Sequence, residues 1–437
     1  MASRFEAFRD RDLRVLWHPY SKLSSLREGP LPVIVKGEGP FLYDITGKRY
    51  FDAISSWWCC NLGHGHRRII TAIKKQAERL QHSILGNLTH PSAVELAERI
   101  AALFPASGKH VLFASDGACA VEAALKIAVQ YFWNLGRPEK SGFIALSEGY
   151  HGDTLGALSA GFIRSFHRPF ERLVFPCFFA EAPFCSKCRY EQSPERCALP
   201  CLESMARLLE EHAESLAGVI VEPLCQGAAG MRMYTPRYLR ELDVLCRKHG
   251  VLLIVDEIAM GMGRTGRMFA FEHAGIDPPI VCIGKGLAAG YLPISATVVA
   301  EFVWETFRDT PRDCTFYHGH TFSGNPIAAA AAIATLTVYD EEKIVAKAES
   351  TGRYMKQILD RFRGHASVRD VRAVGMVGAI EVGLKPGGVE ALRRLLVGRG
   401  YLIRPLGNVV YMMPPLITPP ELIAEAAGAL LEALEEI

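Results

Sequence analysis

Two adjoining stretches, GVLLIVDE (250–257) and PIVCIGK (279–285), decide the fold. Each is a short run of large and β-branched apolar residues ending abruptly in a charge, the pattern of a strand buried on both faces. Three further runs share that texture: HVLFAS (110–115), GFIALS (142–147) and AGVIVEP (217–223). Amphipathic segments lie between them, among them ACAVEAALKIAVQYFW (118–133) and TPRYLRELDVLCRKHG (235–250). The second opens on Thr-Pro and closes on Gly, as a bounded helix does. Strand and helix in alternation predict an α/β fold with a mostly parallel sheet covered by helices. The stretch PVIVKGEGPFLYDITGKRYFDAIS (32–55) instead alternates in short runs typical of antiparallel strands and turns. The reading is therefore a large central domain over 62–335, with 1–61 and 336–437 meeting in a smaller α+β domain.

Composition narrows the class. Of 437 residues, 49% are hydrophobic and 22% charged, which suits a globular chain and not extended disorder. The net charge of +2 is spread evenly, so no basic stripe points to nucleic acid. No window holds the roughly 20 apolar residues that a membrane span needs. Glu6, Asp10 and Asp12 argue against a transit peptide, and no apolar leader precedes them. Twelve scattered cysteines fit a reducing compartment. A soluble, cytoplasmic protein acting on small molecules is expected.

Ligands of a parallel sheet bind beyond the carboxyl ends of its strands. Those ends here carry Gly117, Glu222, Asp256 and Lys285. A phosphate-loop ATPase would explain an aspartate after LLIV, but it requires Gly-Lys followed by Ser or Thr. The Gly-Lys pairs at Lys48, Lys109 and Lys285 are followed by Arg49, His110 and Gly286. GMGRTG (261–266) matches a dinucleotide glycine pattern but opens no clear helix. Asp256 and Lys285 suit another chemistry. A desolvated lysine has a lowered pKa and can form a Schiff base with an aldehyde. Pyridoxal phosphate needs such a lysine, an acid facing its ring nitrogen, and a phosphate cradle. Lys285 and Asp256 supply the first two, and SDGACAVE (115–122) supplies the third, with Gly117 and Ala118 at a helix start. The glycines beside Lys285 are expected to let the cofactor approach the backbone. Asp116, directly before the cradle, must turn its charge away from a phosphate or shift the helix start by one.

EGYHGDT (148–154) places Tyr150 on a loop after a strand, where it can stack on the cofactor ring. HGHTFSGNP (318–326) offers Thr321 as a phosphate contact across a subunit interface. His64 and His66 lack a third metal ligand nearby and read as turn and interface residues. Cys185, Cys188, Cys197 and Cys201 follow C-x2-C-x8-C-x3-C, which admits a structural zinc or cluster and equally a loop of free thiols.

The motifs EPLCQGAAGM, VDEIAMGMGRTGRMFAFEH, GKGLAAGYLP and GHTFSGNP resemble the class III pyridoxal-phosphate aminotransferases in order and spacing. LWHPYSKL, SSWWCCNLGHGH, GYHGDTLGALS and YLIRPLGNVVYMMPPL are similar to that family's diaminononanoate-synthase branch, in biotin biosynthesis. The resemblance implies a fold-type-I homodimer with active sites at the subunit interface. It implies transfer of an amino group to 8-amino-7-oxononanoate from S-adenosylmethionine, or from lysine as in a Cys-rich branch. It assigns catalysis to Lys285, Asp256 and Tyr150. Cofactor contacts fall to Gly117, Ala118, Glu222, Thr321 and His320, the last standing where proline is usual. Substrate contacts fall to Tyr20, Trp57, Trp58, Asp153, Gly319 and Arg404. Arg404 is expected to hold the carboxylate, and Arg264 is a candidate for the same pocket or for a structural ion pair. The alternative reading is another class III ω-aminotransferase, for 4-aminobutyrate, β-alanine or ornithine.

Overall fold

A computed structural model describes residues 4–194, 196–308 and 313–437. Among them, seven strands form the central sheet, in the order Lys109–Ala114, Ser295–Ala300, Ile280–Ile283, Leu252–Asp256, Leu216–Val221, Gly142–Leu146, Phe178–Ala180. The five strands from Ile280–Ile283 to Phe178–Ala180 run parallel. Ser295–Ala300 runs antiparallel to both neighbours. The expected mostly parallel sheet is thus present, with one reversed strand and an edge strand, Phe178–Ala180, added to it. Every residue of Leu216–Val221, Leu252–Asp256 and Ile280–Ile283 is buried, which is why these segments read as unbroken apolar runs. Truncating one of them, such as Ile254→Ala, is expected to cost about 2–5 kcal/mol.

Helices cover the sheet. Gly117–Asn134 packs on one face and is capped by the Asp116 carboxylate, which accepts a hydrogen bond from Cys119 N–H at 3.1 Å. Pro326–Glu341, rich in alanine and apolar on most sides, is correspondingly buried through most of its length. The two ends of the chain meet in a second sheet. Ile34–Glu38, Phe41–Asp44 and Arg49–Asp52 form an antiparallel meander, and Tyr401–Leu402 adds in parallel beside Arg49–Asp52. Leu402 pairs with Asp52, which sets the Arg404 segment beside the first chain end. Val368–Val374, Val377–Val382 and Val409–Met412 make a third, antiparallel sheet. No helix among the described residues is long and apolar enough to cross a membrane.

Candidate active site

A cavity of about 470 Å³ opens at the carboxyl ends of the parallel strands, lined by Lys285, Asp256, Glu222, Tyr150, Gly117 and Trp58, with Ala118, Asp153 and His151 also on its wall. Residues far apart in the chain converge there because each parallel strand delivers its terminal side chain to the same edge.

Asp256 ends its strand almost fully buried. Its Oδ1 accepts from Ile258 N–H at 3.0 Å, and its Oδ2 lies 2.8 Å from His151 Nδ1. Those bonds keep a buried carboxylate in one orientation. Glu222 accepts from Tyr150 N–H at 3.0 Å and from Gly227 N–H at 2.9 Å. Burial nevertheless pushes its pKa up to about 7, with Asp256 adding to the rise and His151 opposing it.

Lys285 follows Gly284 with a left-handed backbone (φ 41°). Its Nζ makes no hydrogen bond or ion pair among the described residues and lies 5.1 Å from the centre of the Trp58 ring. Burial lowers its pKa below that of an ordinary lysine, although Asp256 and Glu222 pull the other way. Gly286 has a packing role: a Cβ there would come within 2.9 Å of Asn61 Cγ. That differs from the expectation that both flanking glycines serve the cofactor.

The phosphate cradle has the expected helix start. Gly117 and Ala118 are its first two residues, and their N–H groups have no hydrogen-bond partner among the described residues. Asp116, which also lines the cavity, turns its carboxylate back to cap Cys119. A Cβ at Gly117 would meet Ile258 at 2.9 Å, so the position requires glycine. An unbonded amine with lowered pKa, a fixed buried carboxylate and two free N–H groups around one cavity fit pyridoxal phosphate.

Tyr150 and Trp58 are aromatic residues of the cavity wall, and further aromatic groups adjoin it. Tyr20 and Tyr150 each donate a phenolic hydrogen bond to the Asp153 carboxylate. Burial and that carboxylate push the Tyr20 pKa up to about 12 and raise that of Tyr150 further. Tyr20 meets Trp57 edge to face at 5.8 Å, and the Arg404 guanidinium sits 4.4 Å from the Trp57 ring centre. Tyr20 and Arg404 line a neighbouring cavity of about 760 Å³. Trp57 and Trp58 reach these places from a turn in which Ser55, Ser56, Trp57 and Trp58 all have positive φ, between 46° and 74°. Left-handed backbone costs about 1–2 kcal/mol for each residue with a Cβ, so other contacts must hold it.

The family model "Aminotransferase class-III" matches residues 24–434. The chain belongs to the class-III aminotransferases. As such it is a pyridoxal-phosphate-dependent enzyme that transfers amino groups. It is 39% identical to the adenosylmethionine-8-amino-7-oxononanoate aminotransferase of Geobacter sulfurreducens, over 99% of this chain and 97% of that one. The protein of the same name from Methanocaldococcus jannaschii is 36% identical, over 97% of each chain. The crystal structure of that enzyme superposes with a TM-score of 0.90, covering 98% of this chain and 99% of the other, at 34% identity. An omega transaminase from Pseudomonas jessenii, solved in complex with PMP, superposes with a TM-score of 0.91 at 29% identity, covering 98% and 97%.

Within this class-III aminotransferase some expected site residues lie elsewhere. Arg264 does not line the cavity. It is buried, donates to Pro414 O and to Asn61 Oδ1 (2.8 Å), and has no ion-pair partner among the described residues. The expected substrate contact or salt bridge is instead a guanidinium fastening backbone and amide groups behind the site. Gly319, His320 and Thr321 lie on a loop outside the cavity of their own chain, with Gly319 and Thr321 exposed. His64 pairs with the buried Asp52 at 2.9 Å, and His66 lies 3.6 Å from Glu342.

Cys185, Cys188, Cys197 and Cys201 line one separate cavity of about 270 Å³. All four are free thiols, and among the described residues no three His, Cys, Asp or Glu side chains are gathered to hold a metal. Burial pushes the Cys201 pKa up to about 12, which favours the protonated thiol. The zinc or cluster expectation therefore finds no support among the described residues.

Sequence reasoning missed His151 and Tyr411. His151 stands next to Tyr150 in EGYHGDT, but only the fold reveals that it faces Asp256. Tyr411 accepts from Trp58 Nε1–H at 3.2 Å from the chain's other end.

Proposed function

We propose that the chain transfers an amino group to 8-amino-7-oxononanoate, giving 7,8-diaminononanoate, with S-adenosylmethionine as donor and lysine as the rival donor. The observation that carries the reading is the Arg404–Trp57–Tyr20 group, joined through Asp153 to the cavity that holds Lys285. A guanidinium at the end of an aromatic wall suits an extended apolar acid, the carboxylate on Arg404 and the chain along Trp57 and Tyr20. The names of the relatives from Geobacter and Methanocaldococcus support the same substrate pair.

Pyridoxal phosphate supplies an aldehyde and an electron-accepting ring. Lys285 would hold the aldehyde, Asp256 the ring nitrogen, Tyr150 one ring face, and the Gly117 and Ala118 N–H groups the phosphate. Glu222 fixes the backbone of Tyr150 from below. Lys285 Nζ, whose pKa burial lowers, would take a proton from the donor's carbon and return one to the acceptor's. Tyr150 and Tyr20 hold Asp153 in place on the cavity wall. Thr321 and His320 are assigned to the phosphate site of the second subunit of a homodimer, and Gly319 to its substrate wall.

The visible spectrum of the purified protein tests this reading. Its cofactor band should fade on adding S-adenosylmethionine or lysine, and return with 8-amino-7-oxononanoate as diaminononanoate forms by mass spectrometry. Fading only with 4-aminobutyrate, β-alanine or ornithine, without diaminononanoate, would replace the reading with another ω-aminotransferase.

A further inference from the structure

The left-handed turn at Ser55–Trp58 needs an explanation, because none of its four residues is glycine. Ser56 and Trp57 lie fully in the left-handed helical region, at φ/ψ of 46°/55° and 72°/43°. The turn closes on itself through Trp58 N–H to Ile54 O at 2.8 Å and Cys59 N–H to Ser55 O at 3.0 Å. Such a backbone persists only where the surroundings over-determine it.

One side chain makes three hydrogen bonds into the turn, beside the single bond that Ser55 Oγ–H donates to Met413 O at 2.7 Å. Asp52 is 1% exposed, and its Oδ1 accepts from Ser56 N–H at 3.0 Å and Ile54 N–H at 3.4 Å. Its Oδ2 accepts from Ser56 Oγ–H at 2.7 Å and lies 2.9 Å from His64 Nε2. A carboxylate bonding its own backbone a few residues on can impose a turn that the intrinsic propensity resists. Asp52 also ends the strand that pairs with Leu402, two residues before Arg404. The same residue therefore stands at the root of both partners in the Arg404–Trp57 contact, and of the Trp58 ring beside Lys285.

We infer that Asp52 is a positioning residue for acceptor binding: its buried carboxylate holds Ser55–Trp58 left-handed, and so sets Trp57 against Arg404 and Trp58 beside Lys285. The inference rests on the proposed function only for the identity of the acceptor. Asp52 stands in the wall of the cavity that Tyr20 and Arg404 line, but its oxygens are taken up by the turn and by His64, so it acts through the two tryptophans.

The test compares Asp52→Ala with the double variant Asp52→Ala/Ser56→Gly, as full-length holoenzymes. Glycine adopts left-handed backbone without the Cβ penalty, so it should restore the turn once the carboxylate is gone. Asp52→Ala should raise the acceptor KM at least tenfold, with kcat changed less than threefold, and should alter the near-ultraviolet tryptophan dichroism. The double variant should bring KM back to within about threefold of wild type and recover the dichroism. Wild-type KM and dichroism in Asp52→Ala would overturn the inference, as would a loss that Ser56→Gly fails to reverse. If Asp52→Ala does not fold, Ser56→Ala takes its place, removing only the 2.7 Å bond to Oδ2. It should raise KM about threefold and shift the dichroism, and no change in either would overturn the inference. A wild-type enzyme inactive toward 8-amino-7-oxononanoate would refute the functional reading instead. The dichroism of the single and double variants would then decide the role of Asp52 by itself.

Discussion

His151 Nδ1 lies 2.8 Å from Asp256 Oδ2, and both are buried side chains in the wall of the candidate cofactor site. The other Asp256 oxygen is occupied by Ile258 N–H. His151→Ala would leave a buried carboxylate with one fixed partner, and a hydrogen bond to a charged group contributes about 1.5–3 kcal/mol. Turnover should fall roughly 10- to 100-fold, with weaker cofactor retention on gel filtration. His151→Gln, which can still donate to Oδ2, should lose less. Equal losses in the two variants would show that the imidazole matters for something other than this bond.

Lys285 is the second expectation. Its amine has no competing partner among the described residues, and burial keeps it below the ordinary lysine range. Lys285→Ala should abolish borohydride-dependent covalent attachment of cofactor, read as the missing mass increment, and should abolish turnover. The purified variant should keep the wild-type far-ultraviolet dichroism. Attachment at the wild-type level would reassign the reactive lysine.

Much of this site could be read without coordinates, for a physical reason. Parallel strands present their carboxyl ends on one edge, so Glu222, Asp256 and Lys285 could be grouped from the apolar runs before them. What could not be read depends on pairings across the chain. His151 and Asp256 are 105 residues apart, and Arg264 reaches Pro414 across 150. The direction of Ser295–Ala300 is not encoded in its apolar pattern, since buried strands of either sense look alike. The left-handed turn carries none of the glycine that ordinarily announces positive φ, so nothing in SSWW marks it.

Glu222 predicts a pH dependence of stability. Its carboxyl titrates near 4.5 when exposed, whereas burial moves the folded value to about 7. Between those values the unfolded chain has released the proton and the folded chain still holds it. This contribution is therefore complete below about pH 4.5 and is lost as pH rises through about 7, on the order of 3 kcal/mol in all. Glu257, raised to about 8 by the same burial, adds a decline of the same sign. In urea unfolding of the cofactor-free protein across pH 5–8, Glu222→Gln should flatten the fall relative to wild type. Parallel curves for the two proteins would mean that Glu222 does not hold its proton in this range.

Arg404 gives the sharpest separation between the two halves of the reaction. Its guanidinium stacks over Trp57 at 4.4 Å, outside the cavity that holds Lys285. It should bind the far end of the acceptor and leave the reacting carbon untouched. Arg404→Ala removes a charge-assisted pair with the acceptor carboxylate, an effect of about 1.5–3 kcal/mol. The acceptor KM should rise roughly 10- to 100-fold, while the rate at which the amino donor bleaches the cofactor band stays within about twofold. Arg404→Lys retains the charge but not the planar fork or the stacking, so it should recover only part of the loss. Single-turnover rates for the two half-reactions, measured apart, decide the matter. Equal slowing of both halves would mean that Arg404 supports the site as a whole through Trp57 and is not a clamp for the acceptor's carboxylate.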